Sequence, residues 1–239
     1  MFFLKSILNK ISRVIFFLIP REFRPKRRSK LKLQLKLEDN LVEETFGHFK
    51  EHLKKSILFD DHIKIREYAI KTSLLNDKNT EFYYLEFGVY KGKSSNLFSK
   101  YVKKLYCFDS FEGLSEDWVG TNNFTKGKFN LNKKPPKLNS NVEPIIGWVE
   151  DTLDEFLKKH NPKINFVHLD MDTYGPTKFT LEKIKPYLIK NAIILFDELY
   201  NFPGWEHGEY KALKEVFKDN EFKYKAFTLN SPRSVIQII

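Results

Sequence analysis

The sequence predicts an α/β fold: a doubly wound, seven-stranded, mostly parallel sheet with one antiparallel strand and an N-terminal helical extension. Three observations predict it. From residue 82, strand-like runs at 82–87, 104–109, 143–147, 164–170 and 191–197 alternate with helix-like runs at 93–102, 151–159 and 177–189, and another helix-like run covers 206–217. Such alternation implies a parallel sheet with helices on both faces. The stretches "NFVHLD" and "NAIILFD" are dense in apolar residues, as central strands are. The last two strand-like stretches, "EFKYKAFTL" and "SVIQII", are joined only by "NSPR", which is too short for a crossover helix and forces an antiparallel hairpin.

A chain of 239 residues suits one such domain with an extension. Its 41% hydrophobic and 15% aromatic content excludes a disordered chain. The single cysteine, Cys107, supports no disulfide framework and reads as buried filler, so a reducing, cytoplasmic location is expected. Net charge is +10, but it is not spread evenly. Residues 1–36 hold eleven Lys or Arg and one acid, Glu22, while the remainder balances 30 basic against 30 acidic side chains. A neutral body argues against a nucleic-acid partner, which would select a basic face.

The organisation read from these patterns is a basic amphipathic tail (1–38), a helical cap or lead-in (39–80, with helices at 43–57 and 61–76) and the main domain (81–239). In "MFFLKSILNKISRVIFFLIP" the apolar residues fall on one helical face and Lys5, Asn9, Ser12 and Arg13 on the other; "REFRPKRRSK" then adds cations. An apolar face plus a polybasic run is the two-signal recipe for peripheral contact with an anionic membrane, here its inner face. Packing on the domain or in a homodimer is the competing reading. "KLKLQLKLE" (30–38) alternates and reads as an edge strand or extended linker. The long segment 112–141 has weak periodicity and reads as a lid or binding loop.

Ligands of open α/β sheets bind at the carboxyl ends of the strands. Acids stand there in a row: Glu86 in the first strand, Asp109 after the second, Asp151 after the third, Asp170 and Asp172 after the fourth, Asp197 and Glu198 after the fifth. The first turn, "EFGVYKGKSS", has Gly88 and Gly92 in a G-x-x-x-G spacing rather than the dinucleotide G-x-G-x-x-G. Asp109 follows Gly88 by 21 residues and is placed to accept ribose hydroxyls. A ribose acid without a pyrophosphate cradle favours a mononucleoside-type cofactor, S-adenosylmethionine, with Glu86 facing its cationic end. Asp151 reads as a partner of the adenine amino group or as a helix N-cap. The acids of the fourth and fifth strands suit Mg²⁺, which takes hard oxygen ligands and keeps part of its shell for substrate; such a cation activates a hydroxyl for methyl transfer. His207 is a candidate general base, His168 reads as a core residue, and Tyr200, Phe202 and Trp205 are candidates for the floor of a sugar site.

With these stretches in hand, the chain resembles class I S-adenosylmethionine-dependent methyltransferases, and within them the macrocin O-methyltransferase family, which methylates sugar hydroxyls on macrolides. The resemblance rests on "YLEFGVYKGKSS", "CFDSFEGL", "GWVEDTL", "HLDMDTYGPTKFTLEKIKPYLIKNAIILFDELYNFPGW" and "EYKAL", and covers about residues 80–217. It implies a Rossmann-like methyltransferase fold, with S-adenosylmethionine at Glu86, Gly88, Ser94, Asp109, Ser110 and Asp151. The adjoining turn residues Tyr90, Gly92, Phe111 and Thr152 complete the candidate cofactor set. It also implies a divalent metal held by Asp170 or Asp172 with Asp197 and Glu198, leaving open which of Asp170 and Asp172 is ligand and which is base. The chain departs from the family in having Asp197-Glu198 for Asp-Asp and "KNA" for Gly-Gly before the fifth strand. The expected activity is O-methylation of a small-molecule or glycan hydroxyl. A NAD-dependent oxidoreductase or epimerase and a non-catalytic cofactor-binding relative are the alternatives.

Overall fold

The computed structural model describes residues 32–77, 81–121 and 124–239. The amphipathic stretch 1–20 and the polybasic run after it lie outside the described residues. Residues 40–239 form one compact unit. Helix α1 (Lys32–Leu53), strand β1 (Ile57–Phe59) and helix α2 (His62–Leu74) lead into β2 (Tyr83–Phe87). There follow α3 (Lys93–Phe98), β3 (Leu105–Asp109), β4 (Val142–Ile146), α4 (Val149–His160), β5 (Ile164–Leu169), α5 (Tyr174–Ile184), β6 (Leu188–Phe196), α6 (Glu209–Val216), β7 (Phe222–Thr228) and β8 (Ser234–Ile238). Among the described residues no helix is long and apolar enough to cross a membrane.

The strand order is β1-β7-β8-β6-β5-β2-β3-β4. Among the described residues only β8 runs against its neighbours, β6 and β7. All seven expected strands are present, and so is the reversed one. Two local expectations fail. Residues 57–59 form an eighth strand, parallel to β7 at the sheet edge; three residues are too few to show a period. The alternating stretch 30–38 is helical from Lys32 onward, inside α1. Its Leu, Lys, Gln and Glu are strong helix formers and it contains no β-branched residue, so propensity outweighs the two-residue alternation.

Strand alternation divides the core into two layers. Leu85, Phe87, Phe108, Val167, Leu169, Ile194 and Phe196 pack with residues of α4 and α5 on one face. Tyr84, Cys107, Phe166, Ile193 and Leu195 pack with residues of α2 and α3 on the other. Glu86 pairs in register with both Cys107 and His168, so these three polar side chains lie side by side on the second face. Helix α2 is capped by Asp61, whose Oδ1 accepts the N–H groups of Ile63 (2.7 Å) and Lys64 (2.8 Å). That cap fixes where the helix starts, and with it the position of Arg66.

Strand order reverses between β2 and β5, which creates the crevice where α/β sheets bind ligands. The two strand ends meet closely there. Gly88 has φ +86°, and a Cβ on it would lie 1.8 Å from the carbonyl oxygen of Asp170. Only glycine fits a left-handed residue against backbone at that range. Gly88→Ala is therefore expected to lower stability by about 1–3 kcal/mol from backbone strain alone, with the clash added. A denaturant midpoint equal to that of the wild type would contradict this close approach.

Candidate active site

A cavity of about 320 Å³ opens at this crevice. Gly88, Val89 and Tyr90 line it after β2, Asp109 and Ser110 after β3, Gly147, Trp148 and Glu150 after β4, Asp170, Met171 and Asp172 after β5, and Glu198 after β6. Phe108 and the segment after β3, through Leu114, Trp118, Phe124 and Phe129, supply apolar wall and roof. Residues of the segment expected as a lid or binding loop thus line the cavity. That segment is seated against the loop after β6: a Cβ on Gly120 (φ +85°) would lie 1.5 Å from the carbonyl oxygen of Pro203, and the Trp118 ring meets that of Phe202 at 5.9 Å.

Asp109 organises the first two turns. Its Oδ2 accepts from Val89 N (2.8 Å) and Tyr90 N (2.9 Å), and its Oδ1 from Phe111 N (2.7 Å). A carboxylate has about four acceptor sites, so one remains toward the cavity. Among the other expected cofactor residues, Gly88, Tyr90 and Ser110 also line the cavity. The rest lie off it. Gly92 is the residue before α3, against Pro136 and Leu138. Ser94 is buried in α3, and Phe111 is core on the α2–α3 face. Asp151 is exposed in the first turn of α4, where acids favour the helix N-terminus; its neighbour Glu150 lines the cavity instead. The Thr152 hydroxyl donates to Trp148 O at 3.0 Å.

Glu86 does not face the cavity. It is fully buried, accepting from the Cys107 thiol at 3.2 Å and bonded to His168 Nδ1 at 3.0 Å. His168 Nε2 reaches Asp197 Oδ1 at 3.3 Å. Asp197 takes two arginines as well. Arg66 Nη2 donates to Oδ1 at 2.7 Å, Arg233 Nε donates to Oδ1 at 2.7 Å, and Arg233 Nη2 donates to Oδ2. Burial alone would lower the His168 pKa, but its bonds to Asp197 and Glu86 outweigh burial and lift it to about 9. Burial alone would raise Asp197; His168, Arg66 and Arg233 hold it well below the carboxylate range. Asp197, expected as a metal ligand, is saturated with cations of the protein itself.

The remaining acids are in the opposite condition. Ligand atoms of Asp170, Asp172 and Glu198 lie within 4.8 Å of one another. Burial, then neighbouring carboxylates, raises all three, Asp170 to about 7. Asp172 is held at φ +64°, an unusual conformation that persists where surroundings impose it. Glu198 Oε2 is buried with no hydrogen-bond partner. Acids crowded this way, with an unpaired buried oxygen, fit a divalent cation taking oxygen ligands. A second grouping, His168, Asp170 and Asp197, is also within metal-binding reach, but the two arginines and the histidine fill it. His207 is exposed in a 3₁₀ turn (Trp205–His207) and does not line the cavity. Tyr200 and Trp205 are buried against Phe49 rather than flooring a site.

A family model described as a methyltransferase domain matches residues 85–199, from β2 to the loop after β6. Over that stretch the chain is similar to methyltransferase domains, and its sheet is that of the Rossmann-like methyltransferase fold. The methyltransferase fold recurs in the crystal structure of CalS11, described as a calicheamicin methyltransferase, at 20% identity and a TM-score of 0.62, over 87% of this chain and 93% of that one. An apo structure of CalS11, described as a TDP-rhamnose 3'-O-methyltransferase, gives 19% and 0.54 over 87% and 95%. The O-methyltransferase NovP gives 14% and 0.51 over 74% and 78%. At these identities the likeness is one of fold. No curated protein matches the sequence significantly.

Several residues at this site escaped the sequence reading, among them Trp148 and Glu150 in the cavity wall and Arg66, Glu209 and Arg233 around the acids. Arg66 comes from α2, Glu209 from the start of α6 and Arg233 from the turn before β8. A lone Arg in an amphipathic helix or after a turn carries no local signal. Asp197→Asn is expected to lower unfolding free energy by about 3–5 kcal/mol, the usual cost of stripping one partner from a buried charge cluster. Glu198→Gln, which replaces a buried acid that burial and its neighbours already push toward the neutral form, is expected to leave stability unchanged or higher. Denaturant titration of both variants checks this, and a neutral Asp197→Asn would refute the structural role of the cluster.

Proposed function

We propose that the protein transfers a methyl group from S-adenosylmethionine to a hydroxyl of a sugar or glycan, with a divalent cation, Mg²⁺ in the first instance, beside the acceptor. The observation that carries this reading is the crowded triad of Asp170, Asp172 and Glu198, with its unpaired oxygen, next to an apolar cavity at the β2/β5 switch point. The descriptions of CalS11 as a sugar O-methyltransferase and of NovP as an O-methyltransferase support the acceptor class.

In this reading the nucleoside lies along Gly88, Tyr90, Asp109 and Ser110, with Asp109 accepting from the ribose. Trp148 and Phe108 give the base apolar walls, and Glu150 offers an acceptor at that end of the cavity. Asp170, Asp172 and Glu198 would hold the cation, which would supply acidification of the acceptor hydroxyl. The acceptor's proton passes to a carboxylate of the same cluster, the C–O bond forms as the methyl–sulfur bond breaks, and the neutral thioether leaves. Trp118, Phe124 and Phe129 would keep water from the reacting groups, so that positioning supplies much of the rate.

The basic N-terminal segment extends this reading. Its +10 balance over residues 1–36 and its amphipathic pattern favour docking on an anionic membrane surface, where lipid-linked glycans would be within reach.

S-adenosylhomocysteine is expected to bind the purified chain in calorimetry while NAD does not, and turnover of a nucleotide-activated sugar is expected to stop with chelator and return with Mg²⁺. Asp109→Ala, which frees the β2–α3 turn and removes the ribose acceptor, is expected to weaken S-adenosylhomocysteine by at least ~10-fold, about 1.4 kcal/mol. Binding of NAD in place of S-adenosylhomocysteine would overturn the reading. Removal of residues 1–36 is expected to abolish sedimentation with phosphatidylserine vesicles; undiminished sedimentation would remove the membrane step alone.

A further inference from the structure

The cation triad leaves one buried acid without a task. Glu209 opens α6, and its side chain is fully buried. Its Oε2 accepts the backbone N–H of Glu198 at 3.1 Å. Its Oε1, like Oε2 of Glu198, is buried without a partner. Leaving a buried polar atom unsatisfied costs about 1–3 kcal/mol, and more when the group is charged, so two such oxygens, on residues joined by the Glu198 N–H bond to Glu209 Oε2, point to a partner beyond the protein's own side chains. The charged groups acting on Glu209 include Asp170, Asp197 and His168, while Glu209 in turn bears on Asp172 and Glu198. Of the nearby guanidinium groups, Arg233 bonds Asp197, and Arg66 bonds Asp197 and lies 4.0 Å from Asp170. A purely structural role, holding the Glu198 main chain and the start of α6, accounts for Oε2 and leaves Oε1 unexplained.

We propose that Glu209 is a positioning residue of the cation site, holding the Glu198 main chain through Oε2 and presenting Oε1 to a water in the cation's shell. This rests on reading Asp170, Asp172 and Glu198 as the cation ligands. Water mediates the contact because those three residues form a mutually close group that Glu209 does not join. Mg²⁺ suits such an arrangement, since it retains several waters when bound by carboxylates. Groups that hydrogen-bond the ligand shell of a metal typically tune its affinity by about 10–100-fold. The sequence hides the residue, because a Glu after Gly at a helix start is ordinary.

The test is Glu209→Gln in the full chain. Glutamine keeps the shape and an oxygen for the Glu198 N–H but removes the charge. Binding of Mn²⁺ is followed by electron paramagnetic resonance with S-adenosylhomocysteine present, and S-adenosylhomocysteine binding and melting temperature are measured in chelator. The expected result is Mn²⁺ affinity weaker by ~10–100-fold, with S-adenosylhomocysteine binding retained and the chelated protein melting no lower than wild type. A structural role would leave Mn²⁺ affinity unchanged. Should Glu209→Gln not fold, Glu209→Asp, which keeps the charge but shortens its reach, is expected to weaken Mn²⁺ as well. Unchanged Mn²⁺ affinity in the folded variant overturns the proposal alone. Absence of Mn²⁺ binding in the wild type overturns the cation reading and the proposal with it.

Discussion

The carboxylate of Asp197, gripped by Arg66, Arg233 and His168, is the constraint on which the rest of the site depends. It stands just after β6, Arg66 comes from α2, Arg233 from the turn that leads into β8, and His168 from β5. One side chain thus joins the lead-in helix, the closing hairpin and two central strands. Such a cluster is expensive to desolvate and its net worth is modest, but losing one member leaves the others buried and unpaired. That asymmetry makes the arrangement hard to leave once formed. It also explains why the next residue, Glu198, points into the cavity: consecutive residues leaving a strand face opposite ways, and Asp197 has taken the side of the arginines.

The clamp sorts acids that look equivalent in sequence. Six carboxylates converge here: Glu86, Asp170, Asp172, Asp197, Glu198 and Glu209. Glu86 and Asp197 receive the cations of the protein and stay ionised, as the lowered pKa of each reports. Asp170, Asp172, Glu198 and Glu209 are left to repel one another, and all four are raised. A fold that crowds four acids beside a cavity, with Asp170 half-buried 4.0 Å from Arg66, has the charge and the oxygens that a cation would meet. Charge opposition of this kind is common at functional sites, and here it separates structural acids from chemical ones.

Much of this was legible in the sequence. The seven strands, the reversed β8, the switch-point glycine, Asp109 and the acids after β5 and β6 all follow from period, hairpin spacing and the strand-end rule. Three kinds of information were not. Direction was one: a strand residue's face depends on neighbours, so Glu86 read as a cavity acid although its register with Cys107 and His168 turns it into the core. Distance was another, because Arg66 and Arg233 lie far from Asp197 in the chain. The third was short elements, such as β1, whose three residues show no period. The helix at 32–38 fails for a related reason, since Leu alternating with Lys satisfies two templates and only propensity separates them.

A crystal structure of the full chain with S-adenosylhomocysteine and Mn²⁺, using the manganese anomalous signal, tests the central claim most directly. The account predicts one anomalous peak among Asp170, Asp172 and Glu198, the nucleoside against Asp109, and Asp197 still bound to Arg66 and Arg233. A peak on Asp197 with the guanidinium groups displaced, or a cavity in which Asp109 and the acids after β5 face different ligands, would contradict it.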